Sequence, residues 1–283
     1  MIGHWSYPVP EFTWDVYPLP RRFELDLDQF VGDYDLVFHE DTKAWGSFVG
    51  DRSRLPVVYM VRDSTLSEDH YRVRVQQARE QADLILVDWD RLERFEGLGV
   101  PVRRLSHCVN ERLFRDYGEP KIIDVAFHMA CKGCPGRAEL RDWLREFCAA
   151  RGYSYAAGIM IGEEYPKALS RAKIVVNLER TPDTRAHRVF DALACRTCLL
   201  TSPEPEVSGE VRQAGLHYVE WRTYEELGEQ IDVLLKTGAW ENYARHGYWL
   251  VHQHHTWWIR AGELRKILLE VFPKLAEKAW RAA

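Results

Sequence analysis

Basic and acidic side chains recur directly after short apolar runs in this chain. Residues 35–39 lead from Asp35-Leu-Val-Phe-His39 into Glu40 and Asp41, and residues 55–61 lead into Arg62 and Asp63. Further on, residues 122–130 lead into Lys132, with Arg137 close behind; 173–178 lead into Glu179 and Arg180, and 197–201 into Ser202. The first group is acidic with a histidine, while the second is largely basic with glycine. An acid or base on one wall, facing cations and a helix N-terminus on the other, suits transfer of a group from a phosphorylated donor.

The elements that must position these residues follow from the hydrophobic rhythm. Apolar runs at 35–39, 55–61, 83–88 and 100–105 read as strands, with helical segments at 70–82 and 91–97 among them. A second series follows, with strands at 122–127, 173–178 and 197–201 and helices at 137–151, 165–171, 186–194 and 224–235; from 240 onward the pattern is mostly helical. Strands alternating with helices mean a parallel α/β sheet, and ligands of such sheets gather beyond the carboxyl ends of the strands. The rhythm pauses over 110–120, which reads as a linker between two α/β units. Residues 1–24 are rich in Pro and aromatics, which predicts short extended pieces and turns rather than a helix. Trp5 and Trp14 in that stretch are candidates for an acceptor platform, because aromatic faces stack on sugars and bases.

Composition sets the outer bounds. The 283 residues are 46% hydrophobic and 29% charged, the balance of a globular chain with a substantial core. The net charge is −5, split as −6 over residues 1–117 and +1 over the remainder, so neither half has the basic footprint of a phosphate-gripping DNA binder. No apolar run is long enough to span a bilayer, and the N-terminus lacks a signal-peptide pattern. A cytoplasmic protein with reduced thiols is expected, in the host cytoplasm if the gene is phage-borne. Cys131-x-x-Cys134 and Cys195-x-x-Cys198 invite zinc. The first pair follows a strand and the second precedes one, at opposite sheet edges, and no metal site is expected. The histidines at 252, 254 and 255 read as a helix face.

The segments Tyr165-Pro-Lys-Ala-Leu-Ser-Arg-Ala-Lys-Ile-Val-Val-Asn-Leu178, Arg188-Val-Phe-Asp-Ala-Leu-Ala-Cys195 and Thr197-Cys-Leu-Leu-Thr-Ser202 resemble the donor domain of group 1 glycosyltransferases. They are most similar to its spore-maturation-protein-like branch. Leu105-Ser-His-Cys-Val-Asn110 with Leu113-Phe114 resembles that family's hinge, Asp124-Val-Ala-Phe127 its first donor-domain strand, and His255-Thr256 with Arg260 its C-terminal helix. The resemblance implies a GT-B fold: two Rossmann-like domains facing a cleft, with the N-terminal one reduced. It divides the chain into an acceptor-side domain (1–117), a nucleotide-sugar domain (118–265) and a C-terminal helix (266–283) packing back towards the first domain.

The implied activity is a hexosyltransferase moving sugar from a nucleotide-diphosphate sugar, UDP-glucose or another UDP-sugar, to an acceptor hydroxyl. The acceptor could be a glycan, a protein, a small molecule or a hydroxymethylated DNA base. No obligatory cofactor is implied. Donor-binding positions carried over from the family are Lys132, Arg137 and Arg180 near the diphosphate, with Asp183, Arg188 and Asp191 nearer the nucleoside and sugar. Asp183 and Asp191 stand where many relatives carry two glutamates eight positions apart. His39 and Asp63, with Glu40 and Asp41, fall where relatives place polar residues beside the sugar and acceptor. Where relatives have glycine after Ala-Cys, this chain has Arg196. That change and the shortened acidic pair motivate the alternative of a non-catalytic nucleotide- or sugar-binding protein of the same fold.

Overall fold

A computed structural model describes residues 22–40, 45–61, 76, 78–87, 92, 97–132, 134–179, 187–203 and 213–275. The chain divides into two units, one running to Ser106 and resuming at Trp258, the other spanning His107–Trp257.

In the first unit, strand β1 (Arg22–Asp26) pairs in parallel with β3 (Trp45–Val49). The chain turns out of β1 through a 3-10 turn, Leu27–Phe30, where the Asp26 carboxylate accepts the Asp28 N–H at 3.1 Å. A separate parallel sheet holds β2 (Val37–Glu40), β4 (Val57–Val61), β5 (Leu84–Val87) and β6 (Val102–Arg104), in that order. All of β4 and β5 is buried, as expected for strands covered on both faces. Asp83 fixes the entry of β5 beside β4: its carboxylate accepts the Val57 N–H at 2.8 Å, and its own N–H donates to the Val57 carbonyl at 2.8 Å.

The second unit is a five-stranded parallel sheet in the order β11-β10-β9-β7-β8. Its strands are β7 (Ile123–Phe127), β8 (Tyr155–Ala157), β9 (Ala172–Asn177), β10 (Cys198–Thr201) and β11 (Val219–Glu220). Its helices are α1 (Pro135–Arg151), α2 (Glu164–Ser170), α3 (His187–Ala194), α4 (Tyr224–Thr237) and α5 (Trp240–His254), and α6 (Trp257–Val271) follows. Alternate strand residues feed opposite faces. Val125, Phe127, Ile174 and Val176 pack with Leu140 and Leu144 of α1 and Leu227 and Ile231 of α4. Ala126 and Val175 pack on the other face with Val189, Phe190 and Leu193 of α3 and Val251 of α5.

Caps match the helix ends. Thr223 accepts the Glu226 N–H at 3.2 Å at the start of α4, with Glu225 and Glu226 complementing the helix dipole. Gly152 closes α1 in the left-handed conformation. The two ends of the second unit meet where Val109 donates to the His255 carbonyl at 2.9 Å and accepts the Trp257 N–H at 2.9 Å. Within the first unit, Glu270 of α6 pairs with Arg103 of β6 at 2.5 Å. Among the described residues no helix is long and apolar enough to cross a membrane.

Candidate functional site

Strand order locates the site. The chain leaves β7 for β8 on one side and then crosses to β9 on the other, so the connections diverge between β7 and β9. In parallel α/β sheets such a reversal opens a ligand crevice outside the carboxyl ends of the two strands. The four-stranded sheet of the first unit runs β2-β4-β5-β6 in chain order and has no such reversal.

The β7 side of the crevice is basic. Lys132 is exposed in the turn out of β7, and α1 begins three residues later with Pro at its first position, where a missing N–H costs nothing. No side-chain hydrogen bond caps that helix end, which carries the positive pole of the helix dipole. Arg137, in the first turn of α1, is 7% exposed, and its Nε donates to the carbonyl of Leu178, just past β9, at 3.0 Å. One guanidinium thus ties the two lips of the crevice together.

The β9 side is laced by side chains. Asn177 is 1% exposed; its amide group donates to Glu179 Oε1 at 2.8 Å and to Thr201 Oγ1 at 2.9 Å. Its Oδ1 is buried without a hydrogen-bond partner. The Glu179 N–H donates to Ser202 Oγ at 2.9 Å, and the Ser202 N–H to the Asn177 carbonyl at 3.1 Å. This mesh fixes the half-buried Glu179 carboxylate at the strand ends. His128, directly after β7, is buried, and its Nδ1 lies 3.2 Å from the Gly158 carbonyl. Burial lowers its pKa, with the Gly158 contact opposing, so the imidazole is neutral near pH 7 and donates from Nδ1 to that carbonyl. Asn177 and His128 were not picked out as site residues by sequence. Their signal was position alone: Asn177 ends the quoted Val-Val-Asn-Leu run, and His128 closes a strand.

On α3, Asp191 is 9% exposed, and burial pushes its carboxyl pKa up to about 8, opposed by the charge of half-buried Arg188 one turn earlier. Tyr165 of α2 feels the Asp191 charge and is itself raised well above the usual phenol range, chiefly by burial. Tyr165, Arg188 and Asp191 therefore form a second polar group on the two helices flanking β9.

Sequence placed Lys132, Arg137, Arg188 and Asp191 in one domain, and all four lie in the second unit. His39 is in the first unit on β2, 2% exposed, with its ring 4.7 Å from Tyr59 and 5.5 Å from Phe48. Burial lowers its pKa to about 4. Glu40 ends β2. Asp41, Asp63, Arg180, Asp183, Trp5 and Trp14 lie outside the described residues. Arg196 follows α3 with φ +54, the left-handed conformation a glycine would hold, and its Nη1 lies 3.1 Å from Asp116. Among the described residues no three His, Cys, Asp or Glu side chains are placed to hold a metal ion.

Comparison with known proteins agrees with this layout. The structure of Alr3699/HepE from Anabaena, solved with UDP-glucose, matches with a TM-score of 0.62 at 13% identity, over 86% of this chain and 80% of that one. Sucrose-phosphate synthase from Thermosynechococcus elongatus matches with 0.59 at 13% identity, over 87% and 76%. A glycosyltransferase from Rickettsia africae ESF-5 matches with 0.58 at 8% identity, over 87% and 78%. No curated protein matches the chain in sequence. At these identities the structural likeness speaks for the fold, an α/β fold with the parallel Rossmann-like sheets of GT-B glycosyltransferases. The glycosyl transferase-like family profile matches residues 101–266, which take in the whole basic crevice and α3. The chain belongs to the glycosyl transferase-like family and is a glycosyltransferase of the GT-B type.

Proposed function

We propose that this enzyme moves a sugar from a UDP-sugar, UDP-glucose first among them, to an acceptor hydroxyl. The observation that carries the reading is the basic crevice between β7 and β9, with Lys132, Arg137 and the uncapped end of α1 around it. The UDP-glucose held by the Anabaena structure supports the choice of donor. The acceptor oxygen bonds to the anomeric carbon as the bond from that carbon to the phosphate oxygen breaks. The electron pair leaves with UDP, and the hydroxyl proton passes to a carboxylate.

Charge on the departing diphosphate grows along this path, so fixed cations stabilise the transition state more than the ground state. Lys132, Arg137 and Arg180 take that part, which makes a divalent ion dispensable. Asp191, with Arg188, holds the ribose hydroxyls, and Asp183 the sugar. The acceptor wall comprises His39, Asp63, Glu40 and Asp41, with Trp5 and Trp14 as a stacking platform. A pKa near 4 makes His39 a weak base, suited to orienting a hydroxyl and leaving the proton to Asp63, Glu40 or Asp41.

The domain limits of 1–117, 118–265 and 266–283 and the spore-maturation-protein-like branch belong to this proposal. A glycan, protein, small molecule or hydroxymethylated DNA base remains the acceptor class. A reducing compartment such as the cytoplasm is part of the same reading. Arg196 keeps the left-handed backbone shape of a glycine turn, so its substitution does not by itself argue for the non-catalytic alternative.

The test is release of UDP from UDP-glucose, measured with each acceptor class in turn and with chelator. Stimulation by one class, persistence in chelator, and a kcat lowered more than KM is raised in Lys132→Ala and Arg180→Ala are expected. Full activity in both variants, or complete loss in chelator, contradicts the charge argument.

A further inference from the structure

The Cys131-x-x-Cys134 thiols take no part in the donor reading, and a backbone hydrogen bond holds the two residues close together. The Cys134 N–H donates to the Cys131 carbonyl at 3.0 Å. Such a four-residue turn keeps its end Cα atoms within about 7 Å, and a disulfide spans about 4.4–6.8 Å. Both thiols are partly exposed, whereas Cys108, Cys148, Cys195 and Cys198 are buried, so a reagent in solution meets this pair first. Among the described residues neither sulfur makes a strong hydrogen bond, although Cys131 packs against the core of the second unit. Cys134 stands at the N-cap of α1 but makes no capping hydrogen bond, and Cys131 Sγ lies 3.7 Å from the Met129 carbonyl.

We propose that Cys131 and Cys134 form a reversible thiol–disulfide couple that weakens nucleotide binding when it closes, the second part resting on the donor reading above. The co-reactant is a low-molecular-weight disulfide such as oxidised glutathione. One cysteine thiolate attacks it, making a mixed disulfide and releasing one external thiol. The other cysteine thiolate then attacks the protein sulfur, closing the ring and releasing the second external thiol. The pair loses two electrons and two protons, and the external disulfide gains both. Closure re-aims Cys134, whose carbonyl accepts the Arg137 N–H at 3.0 Å, and so disturbs the first turn of α1 where Arg137 reaches Leu178.

The test equilibrates the whole protein in glutathione buffers of graded oxidation, blocks free thiols with N-ethylmaleimide and reads the peptides by mass spectrometry. The peptide holding Cys131 and Cys134 is expected to pass from two maleimide adducts to none, with the loss of two hydrogens, while the other four cysteines stay out of disulfides. Cys131→Ser is expected to leave glutathione trapped on Cys134. A wild-type pair that stays alkylatable at every ratio, or that collects only glutathione adducts, overturns the couple. UDP titrated into both forms is expected to bind the oxidised one about tenfold more weakly, the loss of one charge-assisted hydrogen bond. Equal affinity overturns the control of binding. Failure of both forms to bind UDP strikes the donor reading instead, with the peptide result still deciding the couple.

Discussion

Two buried titratable side chains give this protein opposing responses to pH, and their signs follow from burial. His39, between Phe48 and Tyr59, has its pKa lowered to about 4. Its contribution to stability is complete above the unfolded value near 6.5 and drains away as pH falls towards 4, a loss on the order of 3 kcal/mol. Denaturant melts of His39→Phe are expected to show a flattened slope between those pH values; an unchanged slope refutes the assignment. Asp191 works the other way: with its pKa raised to about 8, the folded state loses stability as pH rises from the unfolded value near 4 towards 8. If the ribose hydroxyls bind the ionised carboxylate, UDP affinity rises about tenfold from pH 7 to 9, as the ionised fraction grows. Asp191→Asn is expected to lose that rise. Sequence showed which residues follow strands, as at Lys132, and which open the next helix, as at Arg137. It did not show that Asn177 laces β9 to β10 or that His128 meets Gly158, because those contacts join residues 24 and 30 positions apart.

At the scale of elements, the strands that were legible are those buried on both faces, such as Val57-Val-Tyr-Met-Val61 and Lys173-Ile-Val-Val-Asn177, whose β-branched runs leave little choice. β8 was missed because Tyr155-Ala-Ala157 lacks that composition, and β11 because two residues carry no periodicity. Both lie at the edges of the sheet. Residues 110–120, which read as a linker, are tied to the second unit: Ser170 Oγ donates to the Arg115 carbonyl at 3.0 Å, and Phe114 meets Tyr165 edge-on at 5.8 Å.

The turn after α3 keeps its shape although its glycine is replaced. The Arg196 N–H donates to the Leu193 carbonyl at 3.0 Å, and Thr197 to Ala192 at 3.2 Å. Arg196→Gly is expected to relieve about 1 kcal/mol of left-handed strain. Loss of the Asp116 pair returns about 0.5 kcal/mol, since Arg196 is half exposed. A small rise in melting temperature is therefore expected, and a clear fall contradicts the strain argument. Gly247 of α5 has a different reason to be small. A Cβ there would lie 2.4 Å from Leu193 Cδ2 and 3.0 Å from the His217 carbonyl. Gly247→Ala is expected to cost about 1–3 kcal/mol in chemical denaturation by pushing α5 off α3; no loss means the helix shifts freely.

At the scale of the whole molecule, each unit has a core of its own, around Val57 and Ile85 in the first and around Phe127 and Phe190 in the second. The acidic surplus lies in the first 117 residues and the remainder is near neutral, with Lys132 and Arg137 standing where the second sheet reverses direction. The central claim is that the nucleotide sits on that reversal, with its ribose held by Asp191. Calorimetric titration of UDP at about pH 9, where the Asp191 carboxyl is ionised, into the wild-type protein and Asp191→Ala tests it most directly. The account predicts affinity about ten- to a hundredfold weaker in the variant, the loss of a charge-assisted hydrogen bond. Equal affinity in the two proteins would contradict it.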